Sequence, residues 1–494
     1  MKKIYLIIII TLLLLVPLSI NASFLAGDVD NNGVVNSLDY VLVRKYILGT
    51  RILSDSEQKR ADTNYDNIID SQDYILIRQA IISGKSIASP KPVKVTEVML
   101  DKNNITLING SKETLKAIIN PSDADNKNVT WSSSNTNIVI VNSNGEIVAK
   151  NTGIAIVTVT SIDGNKTAKC SVTVIEPVVF DQRNAAVIDY LSNPTAKKVQ
   201  SVYNSYGCGS KLSCDKPNEY ISSITGDVNI YRYVDNTKTF IVKTDSTNIN
   251  YYMIPNNTYI IESVNDTSKI EVVKLTGNVR MINADLLNLR DLGGWQADNG
   301  TIKYGILFRS ANTNALNSLT KFNYLGISRV VDLRQDNEIN SSSAVESIRR
   351  RISINYYSNG KPVRQAIEMI MKAVVEENKG VLFNCNFGRD RTGTIAYILE
   401  GILGVNLEDR KTDFELTYLF SPRRNRNDSS LASLTNSFKK YSMTSYEQER
   451  FINWFLSFST NKENDLKLIN NFREKLIDGN PHIYKLVNGK ITIS

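Results

Sequence analysis

Oxygen-bearing side chains recur at matched offsets in two stretches 34 residues apart, a constraint on local folding that few sequences carry. The first copy runs Asp28, Asp30, Asn32, Val34, Asn36, Asp39, and the second Asp62, Asn64, Asp66, Ile68, Asp70, Asp73. Side-chain oxygens fall at loop positions 1, 3, 5, 9 and 12, and the backbone carbonyl of Val34 or Ile68 supplies position 7. A hard cation such as Ca²⁺ takes an oxygen shell of this kind. Two structural Ca²⁺ ions are therefore expected, one per loop. Gly33 suits the sharp turn at position 6, and Asn67 reaches the same left-handed backbone at modest cost. Each loop leads into a helix-like run with paired residues Tyr40/Tyr74, Leu42/Leu76, Arg44/Arg78 and Ile47/Ile81.

At 494 residues the chain is too long for one hydrophobic core, so several domains are expected. Lys2 and Lys3 precede an apolar run, Ile4 to Val16, and a small-residue exit near Ala22. That pattern reads as an export signal over residues 1–22, with an uncleaved anchor as the alternative, and predicts an extracellular or cell-surface bacterial protein. Of the four cysteines, Cys208 and Cys214 are close enough to bridge, whereas Cys170 sits in a strand-like alternation and reads as a buried apolar residue. The chain holds a single histidine, His482, which excludes His-based metal clusters, Ser-His-Asp triads and Cys-His proteolysis. The formal charge of +8 points weakly to anionic partners, and no nucleic-acid partner is expected.

Aspartate at position 12, rather than glutamate, departs from a full EF-hand, and residues 26–85 resemble a type I dockerin, two loop-helix units without a leading helix. The resemblance implies a cohesin module of a scaffold or surface protein as partner. It would be contacted through Ser37, Leu38, Ser71 and Gln72 at loop positions 10 and 11, with Arg44, Lys45, Arg78 and Gln79 on the helices. A Pro/Ser linker spans 86–93. Over 94–176 short alternating runs predict a β-sandwich. There Asn128-Val129-Thr130-Trp131-Ser132, Gly145-Glu146-Ile147 and Gly153-Ile154-Ala155 look like a group 2 bacterial Ig-like domain. Residues 177–278 read as a β-rich accessory domain of no legible function, entered through a helical opening at Asn184 to Leu191.

From 279 to 494 strands and helices alternate, the mark of an α/β domain. Val381-Leu382-Phe383 reads as a buried strand that runs into Asn384-Cys385-Asn386-Phe387-Gly388-Arg389-Asp390-Arg391-Thr392-Gly393 and then an apolar helix. A cysteine and an arginine six positions apart on a strand-loop-helix form a phosphate loop. Backbone N–H groups from Asn386 through Gly393, with the helix N-terminus, are placed to bind phosphate oxygens. A field of that sign stabilises a thiolate over a thiol, so Cys385 is the expected nucleophile. Arg391 is the bidentate clamp that lysine cannot copy. Thr392 offers a hydroxyl to the sulfur. Asp390 is the favoured proton donor to the leaving oxygen, with Asp332 and Asp291 as alternatives. No catalytic cofactor is implied.

Asn288-Leu289-Arg290-Asp291-Leu292-Gly293-Gly294-Trp295, Gly305-Ile306-Leu307-Phe308-Arg309-Ser310 and Val331-Asp332-Leu333-Arg334 complete the pattern. With them the segment resembles the bacterial tyrosine-phosphatase family whose loop ends Asp-Arg-Thr-Gly. The resemblance implies the cysteine-phosphatase α/β fold, a phosphocysteine intermediate, and phosphorylated protein or phosphoinositide as substrate. Arg389 stands where such enzymes face additional phosphate, and Arg309 and Asp332 are candidates near the phosphate or as supports of the loop. Asn384 replaces the family's usual histidine; it is expected to hydrogen-bond the loop and to stabilise the thiolate less. The competing readings are a phosphate-binding pseudophosphatase and a structural surface protein.

Overall fold

The structure, a computed structural model, describes residues 25–88, 93–208, 214, 216–282, 286–314, 316–339, 343–355, 359–378, 380–420, 422, 425–441 and 446–493. The expected export signal lies outside these residues, as do 89–92 of the linker. No helix among the described residues is long and apolar enough to cross a membrane.

The first unit holds three helices, Ser37–Ile47, Asp55–Ala61 and Ser71–Ser83. Asn36 and Asp70 cap the two repeat helices, and Asp39 and Asp73 close a capping box three residues on. Gly33 and Asn67 adopt φ of +89° and +66°, the left-handed turn that position 6 demands. The repeat is symmetric in space as well as in sequence: the rings of Tyr40 and Tyr74 stack with centroids 4.1 Å apart. The second unit is the expected sandwich. Its four-stranded sheet places Asn104–Ile108, Thr167–Ile175, Gly153–Ser161 and Val129–Ser133 side by side over a core of alternating Val, Ile and Ala.

Residues 178–276 contain a five-stranded sheet in the order Val178–Asp181, Ile270–Thr276, Thr258–Ser263, Asp227–Val234, Thr237–Asp245. The helices Ala185–Leu191 and Ala196–Tyr206 do not join its core. They pack into the following domain, where Tyr190 and Val199 share one cluster with Phe383 and Ile398. Tyr190 donates its hydroxyl proton to Glu415 at 2.7 Å, and Tyr418 donates to Gln200. A Cys208–Cys214 disulfide follows the second helix, and Cys170 is buried in the sandwich.

The last domain is built on a sheet in the order Arg290–Asp291, Leu307–Ser310, Gly380–Asn384, Ile327–Asp332, Arg349–Arg351, parallel except at the first pair. Gly380–Asn384 lies at the centre and is apolar on both faces, as a doubly covered parallel strand must be. Helices Lys361–Val375 and Asp390–Leu403 pack against it. Every residue of the second is buried, and from Ile395 to Leu403 all but Glu400 are apolar or glycine, so the helix is not striped. The functional loop joins the carboxyl end of the central strand to the N-terminus of this helix, the place where open α/β sheets bind ligands.

Candidate active site and calcium loops

Cys385 follows the last residue of the central strand and is 3% exposed. The chain turns through Asn386 to Arg389, and Asp390 opens the helix, so its first free N–H groups face the loop. Gly388 makes the turn possible. It sits at φ +66°, and a Cβ there would lie 2.6 Å from the carbonyl carbon and oxygen of Ser310. Asn312 closes the other side, donating from its backbone N and from Nδ2 to Asn386 O at 3.2 and 3.1 Å.

Beneath the loop lies a buried ionic support. Arg309 donates Nη2 to Gly388 O at 2.9 Å and Nη1 to Asp413, while Arg290 donates Nε to Asp413 Oδ1 at 2.9 Å. Asn288 donates Nδ2 to the same Gly388 carbonyl at 3.0 Å. Thr417 Oγ1 accepts from both arginines. Burial alone would raise the Asp413 pKa, but the two guanidiniums outweigh it and hold the carboxylate below its usual range. Burial, then Arg309, brings Arg290 down to about 10. Glu400, near the end of helix Asp390–Leu403, is driven well above the carboxylate range by burial and by Asp413.

Arg309 and Asp332 were left open between the phosphate and support of the loop, and both lie in buried ion pairs. Arg309 is 0% exposed and holds the loop from below. Asp332, also 0% exposed, accepts from Arg334 at 2.6 and 2.8 Å and pairs with Arg349. Asp291 accepts from Gly293 N, Gly305 N and Arg280, which ties two loops together. Both alternative acids are thus consumed in buried pairs. Asp390 is in a buried pair as well, with Arg389 Nη2 at 2.9 Å, and differs in lying inside the loop. Thr392 Oγ1 is buried with no hydrogen-bond partner, which leaves it available to a sulfur or an oxyanion. The hydrogen bond expected of Asn384 is not formed: its Oδ1 and Nδ2 are both buried without a partner.

Asp413, Thr417 and Asn312 around the loop have no sequence signal, and neither does Glu338 beside Arg391. Glu338, in the turn after strand Ile327–Asp332, accepts from Arg391 Nη1 at 2.7 Å and Nη2 at 3.1 Å, and from Asn386 Nδ2 at 2.5 Å. The Arg391 guanidinium is the first cause that takes the Glu338 carboxyl down to about 2. Four residues after Arg334, with no local motif around it, Glu338 offers no signal of its own. Asn288 and Arg290 lay within a recognised motif, but their bond to Gly388 and pairing with Asp413 were not legible.

In the two repeat loops the acidic groups converge as two triads, Asp28/Asp30/Asp39 and Asp62/Asp66/Asp73, each with oxygens within 4.8 Å of one another. The donor sets fit a hard divalent cation. Asn36 and Asp70 act as helix caps, their side-chain oxygens accepting from Leu38 N and Gln72 N. The candidate partner residues Ser37, Leu38, Arg44, Lys45, Ser71, Gln72, Arg78 and Gln79 are all exposed, Leu38 to 61%.

Residues 283–459 match the tyrosine phosphatase family, 94–172 the group 2 bacterial Ig-like domain, and 26–82 the type I dockerin domain. The chain therefore joins a dockerin, an Ig-like domain and a tyrosine-phosphatase-family domain. Curated relatives include an uncharacterized protein of Clostridium acetobutylicum, 40% identical over 83 residues (17% of this chain, 9% of that one). An alpha-L-arabinofuranosidase of Bifidobacterium longum is 34% identical over 121 residues (24% of this chain, 11% of that one). These matches span only a small part of either relative's length. Among solved structures, TpbA of P. aeruginosa is 17% identical, with 32% of this chain and 89% of that one covered at a TM-score of 0.26.

Proposed function

We propose that this chain is an exported phosphatase that hydrolyses phosphate monoesters through a phosphocysteine. The observation that carries the reading is the loop itself. Cys385, the N-terminus of helix Asp390–Leu403 and Arg391 surround one position, and Gly388 is fixed there by Arg309, Asn288 and Ser310. In the first step Cys385 Sγ attacks phosphorus, the P–O bond to the leaving group breaks, and Asp390 gives that oxygen its proton. Arg391 and the loop N–H groups hold the equatorial oxygens. Water then attacks the phosphocysteine, passes a proton to Asp390, and the S–P bond breaks to release phosphate. The Thr392 hydroxyl, without another partner, stabilises the departing thiolate.

Protein phosphotyrosine is the substrate class that the family match favours. Arg389, the candidate for a further phosphate, is 7% exposed and spends its guanidinium on Asp390, which argues against a polyphosphate reading. The dockerin supports attachment to a cohesin-bearing surface complex, and the two acidic triads support one Ca²⁺ in each loop. A phosphate-binding protein without turnover is the second reading, favoured by the unpartnered amide of Asn384. Steady-state hydrolysis of para-nitrophenyl phosphate by the reduced mature protein and its Cys385→Ser variant decides between them. Turnover that vanishes in the variant is expected. A parent without turnover, but with phosphate-competable binding, would select the second reading.

A further inference from the structure

Helices Ala185–Leu191 and Ala196–Tyr206 come before the last domain in sequence, yet their polar contacts meet on one segment inside it. That segment is helix Leu407–Leu416 and the turn Thr417–Leu419 that continues it. It works on two sides. Inward, Asp413 pairs with Arg290 and Arg309, and Thr417 Oγ1 accepts from both at 3.2 and 3.3 Å. Those bonds keep Arg309 Nη2 at 2.9 Å from Gly388 O. Outward, Glu415 and Tyr418 face the helical pair. Tyr190 donates to Glu415 Oε2 at 2.7 Å, Tyr418 donates to Gln200, and the Tyr203 and Tyr418 rings meet edge to face with centroids 5.6 Å apart. Tyr190 and Glu415 are both 0% exposed, so no water replaces their hydrogen bond if it is lost. The pair is itself tied together. Asn184 caps the first helix at Val187 N and donates Nδ2 to Cys214 O at 2.6 Å, and Cys214 is bridged to Cys208 just after the second helix.

Resting on the phosphatase reading above, we propose that this helical pair positions the phosphate loop, acting on Gly388 through Glu415, Tyr418, Thr417 and Arg309. Tyr190 and Gln200 are its positioning residues, and neither belongs to the loop. Donors aimed at a phosphoryl group stabilise developing charge only when they are fixed in advance. Gly388 O is fixed by Arg309, Arg309 by Asp413 and Thr417, and the segment that carries those two by Tyr190 and Gln200.

The test uses the full mature chain with para-nitrophenyl phosphate as substrate and inorganic phosphate as competing anion. Tyr190→Phe keeps the ring and removes the hydroxyl. Gln200→Ala removes the acceptor of Tyr418 at an exposed position, where the fold is not at risk. Each should lower kcat/KM and raise the inhibition constant of inorganic phosphate by about two- to tenfold, the range one net hydrogen bond supplies. Gln200→Glu keeps an acceptor oxygen and should stay within about twofold of the parent. A lower melting temperature with kcat/KM and phosphate inhibition unchanged would make the helices a brace for stability alone and overturn the proposal. Equal losses in Gln200→Ala and Gln200→Glu would overturn it as well. A parent that turns over no ester rejects the phosphatase reading instead, and inorganic phosphate binding then decides. Its Kd should be about two- to tenfold weaker in Tyr190→Phe than in the parent. Equal affinities, or a parent that binds no phosphate, would overturn the proposal.

Discussion

Glu338 and Arg391 form a two-point pair in which the carboxylate covers Nη1 and Nη2 at 2.7 and 3.1 Å, the two donors a phosphate would also take. A substrate dianion therefore shares or displaces this carboxylate. Glu338→Gln keeps the shape and removes the negative charge. Its KM for para-nitrophenyl phosphate should fall by about two- to tenfold, as expected when one partly screened like charge is removed beside the ligand. A KM that is unchanged or higher would show that Glu338 orients Arg391 without competing for it.

The same pair sets a pH dependence. Glu338 is held at about 2 in the folded protein and returns to the ordinary glutamate value near 4.5 on unfolding. Its contribution is thus fully present above pH ~4.5 and is lost as pH falls towards ~2. Thermal melts between these limits should lose stability more steeply in the parent than in Glu338→Gln. Parallel slopes would count against the pair.

Asp413→Leu removes the one carboxylate bonded to both Arg290 and Arg309, and leaves two buried guanidiniums facing each other. Loss of one partner of a buried ion pair costs about 3–5 kcal/mol. Denaturant unfolding of the catalytic domain should register that loss, and phosphatase activity should disappear with it, since Arg309 also holds Gly388 O. A stable Asp413→Leu protein would mean that Thr417 and Glu400 suffice to compensate.

Asp390→Asn cannot give a proton to the leaving oxygen. General acid catalysis contributes about 10²–10⁴-fold, and the deficit depends on how much protonation the leaving group needs. The variant should be weakest on phosphoserine and phosphotyrosine and closest to the parent on para-nitrophenyl phosphate, whose phenolate leaves unaided. A uniform deficit over these esters would point to loss of the Arg389 contact rather than of the proton.

Calcium titration of the mature protein should show two binding events, and Asp39→Ala or Asp73→Ala should each remove one. In the structure each carboxylate closes the capping box of its own helix as well as a triad. Chelation should therefore lower the helical signal of the dockerin and leave para-nitrophenyl phosphate turnover unchanged. Loss of turnover on chelation would place a metal in the catalytic step.

What could be read from the chain alone was what lies close together along it. The two acidic triads and the candidate phosphate loop each draw their groups from about a dozen consecutive residues, so backbone geometry already brings them to one point; Gly33 even marks where the turn must be left-handed. Tertiary structure decided everything that spans the chain. Arg309 meets Asp413 across 104 positions, Arg391 meets Glu338 across 53, and Tyr190 meets Glu415 across 225. Buried charges of this kind take their role from the partner opposite, and no local pattern of spacing says which partner the fold will supply. For that reason Cys385 and Arg391 were legible as a candidate site. Of the two roles left open for Arg309 and Asp332, the fold puts Arg309 under the loop and Asp332 in a pair with Arg334 and Arg349, while the Asn384 amide has no partner and Glu338 reaches the site only from the turn after strand Ile327–Asp332.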